Sequence, residues 1–524
     1  MLGRVDPQAS FLDTGFAVGH LVDGDSFYAK LARHGDQLVT DEDFADCYAP
    51  PGRGRPSIPP SILMRAVLLA LHDGTSDRES ARRVRMDLGW KYALGLPLDH
   101  PGFHPTTFSV FRSRILLHAA DERLFRQVVR RAVEAGVLPR RSLQLVDSSA
   151  VLGAGAVCDT YELLRRGIGQ LVRAAGEPTL SKALCRKLAR YLKPTKPRID
   201  WQDPQARRAE LARMVEVADR LLAAVAGRPG LAGAADLLRR LVDQDVDRTP
   251  PGGGGPALKQ EVARDRVVSV GDPEMRHGRK SKQQRFDGYK VHLVEEPGSE
   301  LVTAVAVTAA NATDGEVAAG LVGQAGANGA RVGELVGDMA YGTGDVRAEV
   351  AEAGATVVAK VPPHPNGGRF GKHAFTVDLS DPDHPSATCP AGVTTTEVRG
   401  NGRDHRGRSR ATLFFPASAC GPCPLRARCV GGSGPRSLML NHHERLLQQA
   451  RAAEKTPRVR RKLRRRPVIE RKIAHLKRRG LGKARWTGRR KVLLQARLTA
   501  TLANFERLLV LDGLGGEQPA RQAA

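Results

Sequence analysis

Cysteine is scarce, with seven in 524 residues. So few thiols in so long a chain do not make a disulfide framework, and the expectation is a reducing, cytoplasmic setting. Long apolar runs are missing too. The most apolar stretches, "ILMRAVLLALHDG" and "LTATLANFERLLVLDGLG", are short or carry charges, so neither supplies the ~20 apolar residues that cross a bilayer as one helix. The opening "MLGRVDPQASFLDTG" has no basic segment followed by an apolar run, which argues against a secretory signal. Acid is in short supply: 56 Asp and Glu face 82 Lys and Arg, a formal net charge of +26. A surplus of that size favours a polyanionic partner, most simply nucleic acid, because phosphate binding releases counterions. Association with the nucleoid is the matching expectation. The plainer reading is a basic protein with solvated arginines.

What is present points to several domains, since the chain is too long for one ordinary core. Residues 1–140 read as helical. "PPSILMRAVLLALHDG" opens with prolines and stops at Gly74, and "SDRESARRVRMDLGW" holds Ser76 and Glu79 in capping-box register. Short Arg-bearing helices of this kind could dock on DNA or form a structural bundle; the charge favours an N-terminal DNA-binding domain. "RSLQLVDSSAVLG" reads as a buried strand ending at Asp147, the first part of a core over 141–158. Residues 159–263 are a helical insertion, with "TPPGGGGPALK" as flexible punctuation near its end. Over 264–362 a hairpin, "DGYKVHLVEE" and "ELVTAVAVTAAN", precedes alternating helix and strand. The fold class expected is α/β, a mixed sheet with flanking helices. Residues 363–440 form a Cys-rich insertion, 441–511 a basic helical region, and 512–524 a disordered tail.

Three acidic residues stand out by order: Asp147 and Asp338 at strand ends, then Glu470 on a helix in "RRRPVIERKIAHLKRRG". Strand ends on one edge of a sheet lie close, and a helix across that sheet can add a third carboxylate. Such a cluster repels itself and normally holds divalent metal, with Mg²⁺ or Mn²⁺ suited to carboxylate and water oxygens. Each residue also has a plainer reading. The aspartates could cap turns, and Glu470 could pair with Arg466 one turn earlier.

The ordered set of segments resembles a bacterial insertion-sequence transposase of the DDE superfamily, which has an RNase H-like core. The last helix of one branch carries Tyr, two residues, Arg, three residues, Glu, six residues, Lys. Arg466, Glu470 and Lys477 match that spacing, and Leu463 stands at the Tyr position. "LVDSSAVLGAGAV", "DPEMRHGRKSKQQRFDGYKVHL", "VTAANATDGE" and "GDMAYGTGD" are similar to the segments around the first and second catalytic aspartates. The resemblance implies Asp147, Asp338 and Glu470 as a metal-binding triad and Arg466 and Lys477 as DNA contacts. It also implies binding of terminal inverted repeats, nicking by two-metal-ion hydrolysis, and transfer of the 3′-hydroxyl to target DNA. A homodimer or larger assembly on DNA follows, because two element ends must be held together. Among the basic neighbours, Arg471 is a further DNA-contact candidate, and Trp486 in "KARWTGRRK" could stack on a displaced base or pack on the core. Two rivals remain: an RNase H-like nuclease without strand transfer, and a catalytically decayed DNA-binding relative.

Cys389, Cys420, Cys423 and Cys429 run as C-x30-C-x2-C-x5-C. Four thiolates suit tetrahedral Zn²⁺ as a staple for a small insert, with His373, His384 and His405 as substitute ligands; reduced, unliganded thiols are the alternative.

Overall fold

The computed structural model describes the chain except residues 6–10, 51, 53, 177–179, 252, 282, 364–365, 382–383, 404–406, 408, 512 and 515–524. Most of the tail expected from 512 and the candidate ligand His405 therefore lie outside the described residues.

The N-terminal region is a layer of helices: α1 (Phe27–Leu38), α2 (Pro60–His72), α3 (Asp77–Met86), α4 (Leu88–Leu94), α5 (Pro105–Leu117) and α6 (Ala120–Glu134). Helix α2 starts on Pro60, whose missing N–H is no loss in a first turn, and is buried from Pro60 to Leu71. Helix α3 begins where the Ser76 hydroxyl accepts the Glu79 N–H, with acids in its first turn and arginines in its last, an order that suits the helix dipole.

The insertion contains α7 (Thr160–Ala175), α8 (Lys182–Leu192), α9 (Pro204–Ala224) and α10 (Ala232–Asp245). They enclose their own apolar core, with Leu164, Ile168, Met214, Leu238 and Leu241 at its centre and Val267 and Val270 at its edge. The glycine-rich punctuation turns a short hairpin that pairs Val246 with Leu258 and Asp247 with Ala257. Entry and exit meet where the Cys158 N–H donates to the Val268 carbonyl at 3.1 Å.

The mixed sheet comprises β1 (Arg141–Leu152), β2 (Arg276–Arg279), β3 (Arg285–Glu296), β4 (Leu301–Ala309), β5 (Arg331–Val336) and β6 (Thr356–Val358). Its spatial order is β4-β3-β1-β5-β6, with β2 against the start of β3. Strand β3 is antiparallel to both its neighbours, β1 and β4, while β5 runs parallel to β1 and β6 parallel to β5. Strand β1 does not end at Asp147, as its sequence was read above. It continues to Leu152 because β3 pairs with it from Leu145 through Leu152, so Asp147 is a mid-strand residue. Helices α11 (Ala318–Ala327) and α12 (Gly344–Glu352) cover one face through Val146, Leu321, Leu335 and Val350.

Residues 363–440, read as irregular, hold two small three-stranded sheets packed around Phe375, Leu413, Phe415 and Leu438. The chain then forms α13 (Glu444–Glu454), α14 (Pro457–Leu463), α15 (Pro467–Leu476) and α16 (Arg489–Val510). Helix α16 is the hub. Its Leu498, Leu502 and Phe505 share one core with the N-terminal helices and the second face of the sheet. Its Asn504 accepts from the Val302 N–H and donates to the Val302 carbonyl, both at 2.8 Å, satisfying a position in β4 as a neighbouring strand would.

Candidate active site

Asp147 lies half-buried on β1, and its Oδ1 accepts the Ser148 N–H at 2.8 Å. Asp338 follows β5 by two residues and caps the turn Met339–Gly342, accepting the Ala340 N–H at 2.8 Å. The step between them is narrow: a Cβ on Gly337 would come within 2.7 Å of the Tyr341 ring and 3.0 Å of Val146. Glu470 stands exposed on α15, which packs across β1 and buries the adjacent Ile469. Burial pushes the Asp147 carboxyl up to about 6, the Ser148 N–H and the Arg466 charge oppose the rise, and the charges of Asp338 and Glu470 add to it. The two other acids are thus near enough to be felt by Asp147. Glu470 also pairs with Arg466 at 3.5 Å, the contact its plainer reading requires. One guanidinium against three carboxylates leaves the cluster short of positive charge, and all its donors are hard oxygens. That donor set fits a divalent cation such as Mg²⁺ or Mn²⁺.

A second set of polar groups backs this cluster, and the sequence reading did not single it out. Asp314 accepts from the Ser148 hydroxyl at 2.8 Å and from the Lys290 ammonium at 2.7 Å. Tyr341 is fully buried, and its hydroxyl has no hydrogen-bond partner among the described residues. Burial, with Asp314, Asp147 and Asp338 following, holds that phenol well above its usual range. His292 faces Ser148 across the β1–β3 register and holds Thr308 at 2.9 Å; burial pushes its pKa down to about 4, so it is neutral. The available signal was the strand period, since Ser148 neighbours Asp147 and must point to the opposite face.

The basic candidates divide. Arg466 opens α15 and turns toward Glu470. Arg471 and Lys477 are exposed, and burial followed by the Lys280 charge lowers the Lys477 pKa. The latter brings the basic segment between β2 and β3 to the end of α15. Lys477 opens a widened turn that closes on Gly480 at φ 91°. Trp486 is partly buried against the main core with the Arg112 guanidinium 4.7 Å above its ring, so one ring face is already covered. Leu463 is likewise partly buried on that core.

Cys389, Cys420, Cys423 and Cys429 line one pocket with Phe370 and Arg426. Burial raises the Cys429 thiol, Arg436 opposes it, and the neighbouring Cys420, Cys389 and Cys423 add to the rise. No three of these sulfurs lie within 4.8 Å of one another. Among the described residues the sole trio of potential ligands that tight is Asp46, Cys47 and His118, and there Arg123 already holds Asp46 at 2.7 Å.

Comparison with known families adds to this geometry. Residues 388–509, which include Glu470 and all four clustered cysteines, match the family described as Transposase DDE domain. Residues 16–114, most of the N-terminal helical layer, match the family described as Transposase domain (DUF772). Both matched segments belong to transposase families. Together they indicate an insertion-sequence transposase of the DDE type. No curated protein and no solved structure matches it. Among the described residues no helix is long and apolar enough to cross a membrane.

Proposed function

We propose that this transposase binds the terminal inverted repeats of its own element, nicks DNA by two-metal-ion hydrolysis and transfers the freed 3′-hydroxyl to target DNA. The observation that carries the reading is placement: Asp147 on β1, Asp338 just after the neighbouring strand β5, and Glu470 on α15, the helix packed across β1. An RNase H-like core is the matching fold reading, supported by the order β4-β3-β1-β5-β6 with its antiparallel and parallel halves. Asp147, Asp338 and Glu470 would hold Mg²⁺ or Mn²⁺. When bound, a pair of such ions supplies an activated oxygen nucleophile and stabilises the leaving oxygen of a phosphodiester. The protein's own part is positioning. Ser148 and Ala340 donate backbone N–H groups that orient the two aspartates, Arg466 limits repulsion in the cluster, and Arg466, Arg471 and Lys477 face phosphates. Trp486 is a further DNA contact through the part of its ring not buried on the core. Leu463 offers no hydroxyl, so no tyrosine contact occurs there. The cysteine pocket takes structural Zn²⁺ in this reading, and the working form is a dimer or larger assembly on DNA in the cytoplasm.

The test is an integration assay with purified full-length protein, supercoiled plasmid and DNA ending in the inverted repeats that flank the gene. Mg²⁺-dependent nicks and joined products are expected. Asp147→Asn, Asp338→Asn and Glu470→Gln should each lower both by at least about 10²–10³-fold while duplex binding persists. Nicks without joined products would favour the nuclease. Three variants indistinguishable from the parent would sink the triad.

A further inference from the structure

The helical insertion is not evenly charged. Residues 159–200, which contain α7 and α8, hold ten Lys and Arg against four Asp and Glu; residues 201–263 hold nine of each. Three of these cations, Arg165, Arg166 and Arg173, line a cleft between α7 and α8, a cavity of about 360 Å³ that Gly169 and Tyr191 also border. Arg165 is the fixed wall. It is buried, meets both oxygens of Glu162 at 2.7 and 2.6 Å, and donates to the Tyr191 and Lys193 carbonyls at the end of α8. Arg166 spends only its Nε, donated to Glu162 at 2.6 Å. Seven residues on, two helical turns and so the same face, Arg173 makes no hydrogen bond or ion pair among the described residues. Its guanidinium lies over Gly169, where an added Cβ would meet Nη1 at 3.4 Å, so the glycine leaves the floor of the cleft open. Glu162 meets two of these arginines, Arg165 and Arg166. Three guanidinium groups line the cleft, and Arg166 and Arg173 keep N–H donors beyond the one spent on Glu162.

Spare guanidinium donors of fixed geometry select a phosphate group. The cleft offers no exposed aromatic face, because the Tyr191 ring is buried, so it has no platform for a base. It therefore fits a sugar–phosphate backbone, independent of sequence, better than a free nucleotide. We propose that the α7–α8 cleft seats a backbone phosphate of duplex DNA through Arg166 and Arg173, with Arg165 as its structural wall. The proposal rests on the reading that the protein binds DNA, and it assigns the insertion a DNA contact of its own.

The test compares full-length protein with its Arg166→Gln/Arg173→Gln double variant, leaving Arg165 in place, by anisotropy of a labelled duplex over a salt series. The expected result is about tenfold weaker binding and a slope of log K against log salt reduced by about one, the signature of one lost phosphate contact. The Arg166→Lys/Arg173→Lys variant should keep most of the slope. A parallel arm measures thermal stabilisation by inorganic phosphate and pyrophosphate. Stabilisation of the parent but not the double variant, with equal DNA binding by both, would assign the cleft to a free anion and overturn the DNA contact. Equal affinity and slope in both proteins would overturn the inference and leave the proposed function standing. A parent that binds no duplex even at low salt would overturn both.

Discussion

The helical insertion and the N-terminal helices are both bundles of short amphipathic elements, yet they are held differently. The insertion closes on its own core, with Leu164, Met214 and Leu238 fully buried inside it. The N-terminal helices have no core apart from the sheet and α16, since Leu68, Phe125, Leu293 and Phe505 belong to one cluster. Charge repeats the contrast. Glu210 is buried within the insertion and is satisfied there by Arg190, Arg213 and Tyr191. Asp121 is buried on α6 but receives Arg490 and Arg497 from α16, across 369 and 376 residues of sequence. An inserted segment can be added to a fold if it stabilises itself; a segment that shares a core becomes part of the fold.

The largest expected effect is deletion. Replacing residues 160–266 with a short Gly/Ser linker should leave a cooperative urea transition, because the Cys158–Val268 hydrogen bond holds the cut ends together. Removing residues 1–138 should abolish that transition by exposing α16. Soluble, cooperatively unfolding protein after the second deletion, or aggregation after the first, would break the comparison. Next in size, Asp121→Ala removes one of the two carboxylates on the buried Arg497 guanidinium, leaving Glu122 at 3.0 Å, and should cost about 3 kcal/mol in the main urea transition. Leu238→Ala should cost about 2–5 kcal/mol in the insertion's own unfolding. Hydrogen exchange would then report faster opening of α7–α10 only, and equal loosening of the sheet would show the insertion is not separate.

The smallest effect concerns pH. Glu295 is fully buried, neither oxygen is hydrogen-bonded among the described residues, and the Lys472 ammonium is 3.9 Å away. Burial pushes Glu295 up to about 7 despite Lys472, and burial lowers Lys472 despite Glu295. Both directions say that desolvation outweighs attraction at this distance. The folded state therefore binds more protons than the unfolded chain between the ordinary glutamate range and about 7, so Glu295 makes stability fall as pH rises through that window. Glu295→Leu/Lys472→Met should flatten that slope and gain about 1–3 kcal/mol at pH 8, with little change near pH 4.5. Chemical denaturation of both proteins at the two pH values checks it; a steeper slope in the double variant refutes it.

Local chemistry made some of this readable from the chain. Helix α2 announced itself by Pro60 and its apolar period, the β3–β4 hairpin by alternation around "PGS", and the helices of the insertion by their spacing. The short strands of 363–440 were not readable, because three-residue strands such as Ser386–Thr388 are too brief to show a period. Asp147 was singled out but put at a strand end, because pairing with β3, not local preference, extends β1 to Leu152. Asp314 and Tyr341 were passed over because their importance lies in what they face.

By itself the sequence determined the longer helices and the β3–β4 hairpin, the basic character of α14 and α15, and the ordered acids at 147, 338 and 470, since these depend on residues within a few turns of one another. Tertiary structure decided which bundle stands alone, that Trp486 lies beneath Arg112, and that Asp147 feels two distant carboxylates. Those outcomes depend on burial and on charges brought together across hundreds of residues, and both quantities exist only once the chain has packed.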